Sequence, residues 1–379
     1  MAAFLGLAAT AHAALPSRFF GIAPQNRLSA ADTARMAYGG LDSMRLPVPW
    51  YFLEPSPGTY DWTLLDQAVG DSASAGIEIL PFVYGTPRWL GGKPTNLPVN
   101  NARQRHAWGA FLAALVNRYK PGGQYWLEHG PGTADPVPEV PFTSYQIWNE
   151  VNFFYFATPA SPTLYARLVK QSHRVIHAAD PQAKVVLSGL FAKPAEKPPK
   201  AMSAADFLTR LYAIPGIKQD FDVVALHPYA ADADTLRDYT KEIRSVIVQN
   251  HDARTQLWIT EMGWGSQGHS NVSFEKGWKG QARELSAAYR YLIGNRRKLN
   301  LKRTYWFSWK DLQPAPCTYC DSVGLFRAGP DFNPKPAWFS LVSLTGGNAG
   351  EPPGAPPPPP IQPPPLCDPL PICLGAAAG

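Results

Sequence analysis

Eight strand-like apolar runs alternate with eight helix-like runs between Phe19 and Leu344, and the alternation predicts an α/β chain folded as a (β/α)8 TIM barrel. Alternation of the two periods implies a parallel sheet, because each helix must return the chain to the start of the next strand. The count of eight favours closure. The strand-like runs are hydrophobic almost without a break, as expected where both faces of a sheet are covered.

Strands are expected at Phe19–Ala23, Ser43–Pro47, Ile77–Val83, Ser144–Trp148, Lys184–Gly189, Asp222–His227, Gln256–Thr260 and Thr304–Ser308. Helices are expected at Ala30–Ala37, Thr63–Ala75, Gln104–Arg118, Pro162–Ala178, Ala204–Tyr212, Asp234–Gln249, Trp278–Ile293 and Pro336–Leu344. Several begin on good start signals: Asp61 precedes Trp62 and Leu64, Ser161-Pro162 offers a cap with proline in the first turn, and Asp234 precedes Leu236. The Gly- and Pro-rich segment between Lys120 and Phe142 leads into strand four, so it belongs to the face away from an active site. The loop Met262–Gly277 follows strand seven, at the opposite end.

An undivided barrel commonly reaches the length of 379 residues, so residues 15–346 are assigned to one domain. Residues 1–14 hold a short apolar run closed by Ala11-His12-Ala13, which reads as a signal peptide although a basic start is missing. Export to the outside or to the cell surface is therefore expected. No other stretch is long and apolar enough for a membrane span. Residues 347–379 are a proline-rich low-complexity tail with an unbroken run from Pro356 to Pro360 and almost no charge. Such a segment cannot bury a core; cell-wall association as a spacer fits it, and disorder without a specific role fits it better.

The net charge of +6 comes from Lys and Arg spread along the chain without a run of five or more. That pattern serves solubility or attraction to a cell surface, and no nucleic-acid partner is expected. The 12 tryptophans fit a large core, and also faces on which flat sugar rings stack. The four cysteines form two local pairs, Cys317 with Cys320 and Cys367 with Cys373. No second Cys-x-x-Cys or neighbouring His pair completes a metal site, so in an exported chain two short-range disulfides are expected. Asn271-Val272-Ser273 is a glycosylation sequon of a kind common by chance.

The chemistry lies at strand ends. Tyr145-Gln146-Ile147-Trp148-Asn149-Glu150 delivers an Asn-Glu pair at the end of strand four, and Leu257-Trp258-Ile259-Thr260-Glu261 delivers a second carboxylate at the end of strand seven. Acetal cleavage needs a proton for the leaving oxygen and a negative group at the anomeric carbon, and two carboxyls with pKa values pushed apart supply both. No metal or organic cofactor is required. Glu150, beside Ile147 and Trp148, suits the acid; Glu261 suits the nucleophile if Arg45 and Tyr229 donate to it. A lone glutamate at a strand end is most often a salt-bridge partner, and His227 could be a core histidine. Coincidence lifts the case: Arg45, Asn149, Glu150, His227, Tyr229, Glu261 and Trp309 all fall at C-terminal ends of predicted strands, where barrels build active sites.

Trp148-Asn149-Glu150 and Trp258-Ile259-Thr260-Glu261 together resemble the paired signatures of the clan A glycoside hydrolases, which are retaining (β/α)8 enzymes. Tyr84-Gly85-Thr86-Pro87-Arg88-Trp89 and His227-Pro228-Tyr229 bring the chain nearer the family 39 β-xylosidase-like and family 5 cellulase-like branches. The resemblance covers about residues 19–345. It implies that Glu150 is the acid/base and Glu261 the nucleophile of a hydrolase acting on a β-linked poly- or oligosaccharide. It further implies that Asn149 contacts the 2-hydroxyl and that His227, Tyr229 and Arg45 support the pair. Trp306 and Trp309 compete for the place under the reacting sugar, with Trp309 preferred as the nearer to the catalytic end. Trp50, Trp89 and Trp264 are candidate subsite platforms. A transglycosylase would use the same residues, and a non-catalytic carbohydrate-binding barrel is the remaining alternative.

Overall fold

The computed structural model describes residues 15–267, 272–315, 317 and 319–354. Eight parallel strands close into a barrel: β1 Phe20–Ile22, β2 Ser43–Pro49, β3 Glu78–Tyr84, β4 Ser144–Ile147, β5 Lys184–Val186 resuming at Leu190–Phe191, β6 Val223–His227, β7 Gln256–Met262 and β8 Leu301–Trp306. β1 pairs with both β2 and β8, and Val186 of β5 pairs with Val223 of β6, which shuts the ring. The β2–β3 ladder is the longest, running in register from Ser43 opposite Glu78 to Pro49 opposite Tyr84.

The expected strand at Lys184–Gly189 is thus split. The pairing with β6 stops after Val186 and resumes at Leu190. In the gap, Gly189 lies flat against the His227 imidazole, where any Cβ would collide with the ring. The missing side chain makes room for a site residue.

Helices form the outer layer at each of the eight expected places. Pro162–Ala179 starts as anticipated, with Ser161 accepting from the Leu164 N–H and proline in its first turn. Two starts differ. Helix Ala233–Gln249 is capped by Asp232, whose carboxylate accepts from the Thr235 N–H, and Asp234 lies within the first turn. Helix Thr63–Ser74 takes Trp62 as its cap residue, with Asp61 accepting from the Thr63 N–H one position earlier. Short helices at Trp50–Leu53 and Gln124–His129 were not expected; the second occupies the Gly- and Pro-rich segment ahead of β4.

Two apolar layers follow from the alternation of side chains along each strand. Ala23, Leu80, Val186, Val223, Ala225, Trp258 and Tyr305 fill the barrel, while Met44, Val48, Ile79, Val83, Ile147, Leu226 and Ile259 face the helices. Helix Pro336–Thr345 ends on Gly346, and the following residues return to the first helix, Ala30–Tyr38: the Asn348 N–H donates to the Tyr38 carbonyl at 2.8 Å, and the Trp338 indole donates to the Ala349 carbonyl at 3.0 Å. Among the described residues no helix is long and apolar enough to cross a membrane.

Candidate active site

Arg45 enters the barrel from β2 and organises its upper end. The side chain is fully buried, which is costly for a guanidinium without anionic and polar partners. All three nitrogens are used: Nε donates to Gln146 Oε1 at 2.6 Å, Nη2 donates to Asn149 Oδ1 at 2.6 Å, and Nη1 donates to Glu261 Oε1. The Phe82 ring lies under the guanidinium, 3.8 Å from centroid to Cζ. Because Arg45 can only donate, it fixes the Asn149 amide with oxygen inward, leaving its NH2 to face elsewhere.

The turn after β4 aims the Asn-Glu pair. Trp148 has φ 71° and Glu150 has φ 37°, so residues on either side of Asn149 adopt the left-handed region. Side chains other than glycine pay about 1–3 kcal/mol each for that conformation. The surroundings hold it: the Trp148 N–H donates to the Val83 carbonyl at 2.8 Å, its indole donates to the Phe156 carbonyl at 2.7 Å, and the Val151 N–H donates to Ser188 Oγ.

Glu150 and Glu261 face each other across this end, 3% and 6% exposed. His227 bridges them, with Nδ1 2.8 Å from Glu150 Oε1 and 3.6 Å from Glu261 Oε2. Carboxyl oxygens of the two glutamates and the histidine nitrogen lie within 4.8 Å of one another. One divalent ion could be met by all three, but Arg45 already neutralises Glu261 and would repel it.

The two carboxyls differ in their partners. Glu261 receives a donor on each oxygen, Arg45 on Oε1 and the Tyr229 phenol on Oε2 at 2.8 Å. Burial raises its pKa above the usual carboxylate value, and Arg45 and Tyr229 pull it back. Glu150 is held well above the usual value, first by burial and then by the charge of Glu261, with Arg45 opposing. Its Oε2 is buried without a hydrogen-bond partner among the described residues. Burial and Arg45 hold His227 well below its ordinary value, so the imidazole is neutral. Tyr229 is raised by burial and by Glu261, and stays a donor. A protonated carboxyl with a free oxygen beside a doubly supported carboxylate can supply a proton and a negative charge to one small region of space.

The structure thus brings together Arg45, Asn149, Glu150, His227, Tyr229 and Glu261. The tryptophans stand elsewhere. Trp309 is fully buried, its indole donates to Asp32 at 2.8 Å, and its ring packs on Phe326 and Trp338. Trp306 is also fully buried, in the layer between barrel and helices beside Trp264. Neither offers an open face for a sugar, and the preference for Trp309 is corrected. Alternation explains Trp306, which faces outward because Tyr305 faces inward. The strand ends at Trp306, so its period does not carry on to Trp309, and Phe307 is the ring that meets Tyr229, edge-on at 6.1 Å. Trp264 donates to the Ala230 carbonyl and Trp50 to Glu54, and both are core. Trp89 is half-buried, donating to the Glu54 carbonyl. Sequence reasoning also passed over Gln146, two residues before Trp148 on the inward face of β4, and Tyr319, within the Cys317–Cys320 disulfide loop. Asn271, Cys367, Cys373, residues 1–14 and the tail from residue 355 lie outside the described residues.

Residues 23–120 match the family 42 glycoside hydrolase model, described as β-galactosidase. A β-galactosidase of Thermus thermophilus is 35% identical over 85 residues, 21% of this chain and 13% of that protein. The chain therefore spans a small part of this relative, and the family-matched stretch contains Arg45 but neither glutamate. Among solved structures, a monomeric β-xylosidase of Caulobacter crescentus superposes with TM-score 0.63 at 19% identity, covering 88% of this chain and 69% of that one. A family 39 glycoside hydrolase of Bacteroides cellulosilyticus gives TM-score 0.61 at 19% identity, covering 87% and 64%. At these identities the superpositions speak for the fold. The resemblance to clan A glycoside hydrolases read from the paired motifs agrees with these matches.

Proposed function

We propose that this chain is a retaining glycoside hydrolase that cleaves a β-linked poly- or oligosaccharide by double displacement, with Glu150 as acid/base and Glu261 as nucleophile. The observation that carries the reading is the separation of the pair: an oxygen of each lies within 4.8 Å of the other. Retaining enzymes hold their carboxyls about 5–5.5 Å apart, while inverting ones leave about 6.5–9.5 Å for a water. In the first step Glu261 attacks the anomeric carbon as Glu150 gives its proton to the departing oxygen. The negative charge of Glu261 is consumed in the ester, and with it one of the two causes that raise Glu150. Glu150 then becomes a better base for the incoming water. Asn149, with its NH2 turned away from Arg45, is placed to meet the sugar's 2-hydroxyl.

If a sugar hydroxyl intercepts the ester, the same residues perform transglycosylation. The intact pair, with its donors in place, weighs against a barrel that only binds. The neighbours' names speak of β-galactosides and β-xylosides, which set the first substrates to try. The apolar N-terminal run and the Cys317–Cys320 disulfide fit a secreted or cell-surface enzyme. The test is to follow the anomeric proton during hydrolysis of β-galactosides, β-xylosides, β-mannosides, xylan and glucan. Release of β-product before mutarotation is expected; release of α-product would overturn the mechanism, and no release from any member would overturn the activity.

A further inference from the structure

Building on the glycosidase reading, we propose that Tyr319, held in the Cys317–Cys320 loop, is a positioning residue that sets the nucleophile Glu261 through Tyr229. Tyr229 stands among five rings: Phe191 at 5.9 Å, Phe274 at 6.2 Å, Phe307 at 6.1 Å, Tyr319 at 5.9 Å and the His227 imidazole at 6.3 Å. Their packing decides where its phenol points. Phe191 and Phe307 arrive on barrel strands or directly after one. Tyr319 and Phe274 come from loops and lean on each other at 5.3 Å. Tyr319 is only 2% exposed although it belongs to a loop.

The disulfide joins Cys317 to Cys320, and the Cys320 N–H donates to the Cys317 carbonyl at 3.2 Å. The Leu312 N–H donates to the Cys320 carbonyl at 2.9 Å, and the Ser322 N–H donates to the Tyr319 carbonyl at 3.1 Å. Below it, Ser322 donates to Glu275 on the β7 loop. A bridge across so short a segment removes most of its alternative conformations. It thereby holds the Tyr319 ring against Tyr229 and Phe274. Tyr229 gives its hydrogen to Glu261, and the Tyr319 ring packs edge-on against the Tyr229 ring that carries this donor. Burial first, and then the charges of Glu261 and Glu150, hold the Tyr319 phenol well above its ordinary value. The line of influence runs from the disulfide to Tyr319, to Tyr229, to the carboxylate that attacks.

The experiment is a carbon NMR titration of the glutamate side chains in the full chain, with Glu261→Gln assigning the signal of interest. Wild type is compared with Tyr319→Ala, with the double variant Cys317→Ser and Cys320→Ser, and with wild type reduced by a phosphine. Loss of the support should raise the Glu261 titration by about one unit in all three and lower kcat about tenfold, with KM little changed. An unchanged titration of Glu261 in Tyr319→Ala and in the reduced protein would overturn the proposal, even if the unfolding temperature falls. Should the double serine variant fail to fold, those two samples still decide. A wild-type chain that cleaves no glycoside would sink the glycosidase reading alone, because the titration reads Glu261 without turnover.

Discussion

The Tyr229 phenol donates to Oε2 of Glu261 at 2.8 Å, on the oxygen not taken by Arg45. This bond stabilises the ionised carboxyl against the cost of burial. Hydrogen bonds to charged groups contribute about 1.5–3 kcal/mol, so Tyr229→Phe is expected to lower kcat/KM about 10–100-fold. The acid limb of its pH profile should move to higher pH, because Glu261 loses a donor that lowers its pKa. A profile that drops in height without moving would show that Tyr229 acts on something other than the charge of Glu261.

The wild-type pH dependence follows from the two directions. With Glu261 as the proposed nucleophile and Glu150 as the proposed acid, activity should rise as Glu261 loses its proton and fall as Glu150 does. Both groups are raised, Glu150 the more strongly. The bell in kcat/KM should therefore lie above the ordinary carboxylate range on both limbs, with the apparent values belonging to the pair. The same shifts set stability. A carboxyl whose folded pKa is raised contributes stability fully below its unfolded value near 4.5, and loses it as pH climbs through the folded value. Glu150→Gln should accordingly raise the unfolding temperature at pH 7, by about 2 °C or more, and raise it progressively less as pH falls toward 4. Calorimetry at the two pH values checks the sign.

Much of this arrangement was legible in the chain because strand ends are legible. Asn149, Glu150, His227, Tyr229 and Glu261 lie at or just past the end of an apolar run, and a barrel delivers every such end to one mouth. Arg45, expected near its strand's end, is instead third in Ser43–Pro49 and reaches Asn149 and Glu261 by the length of its side chain. What was missed was missed for physical reasons. Trp306 and Trp309 attracted attention by residue type. Alternation turns Trp306 outward, and the strand ends there, so the path that takes Trp309 into the outer layer does not follow from the period. Gln146 is a polar residue inside an apolar run, and its partner Arg45 lies 101 residues away, too far for a local pattern to show. Tyr319 sits in a loop whose path depends on tertiary contacts. The helix starting at Ala233 chose Asp232 over Asp234 because its backbone is extended at the former, a choice that composition leaves open.

Gly189 yields a sharper test of the split fifth strand. A Cβ there would strike the His227 ring, which sits 2.8 Å from Glu150 through Nδ1. Gly189→Ala should displace His227 and lower kcat about tenfold or more, with a smaller change in unfolding temperature than a core truncation causes. An unaffected kcat would mean that His227 has room to shift without consequence for Glu150.

The inner-face assignment of Phe307 is separable from that of Trp309. Phe307→Ala removes a ring that touches Tyr229 and should raise KM or lower kcat about tenfold. Trp309→Phe loses the indole bond to Asp32 and part of a buried ring, so it should cost about 1–3 kcal/mol of stability and leave KM unchanged. If Trp309→Phe instead raised KM while the unfolding temperature held, the sugar platform would belong to Trp309 after all.

The roles of the two glutamates are told apart by adding azide. In Glu261→Ala the cavity left by the carboxylate lies across the reacting carbon from any leaving group protonated by Glu150. Azide entering there attacks from that face once and inverts the centre, so slow formation of the α-glycosyl azide is expected from an enzyme otherwise silent. In Glu150→Ala the nucleophile remains, and substrates with acidic leaving groups still form the ester without help from a proton donor. Azide then replaces water in the second displacement, and the β-glycosyl azide accumulates. The difference rests on the positions already described: Glu261 is the carboxyl with donors on both oxygens, and Glu150 is the one with an oxygen left free. Exchange of the two outcomes between the variants would reverse the assignment, with Glu150 as nucleophile. The absence of rescue from Glu261→Ala, with its activity intact, would remove Glu261 from the reaction.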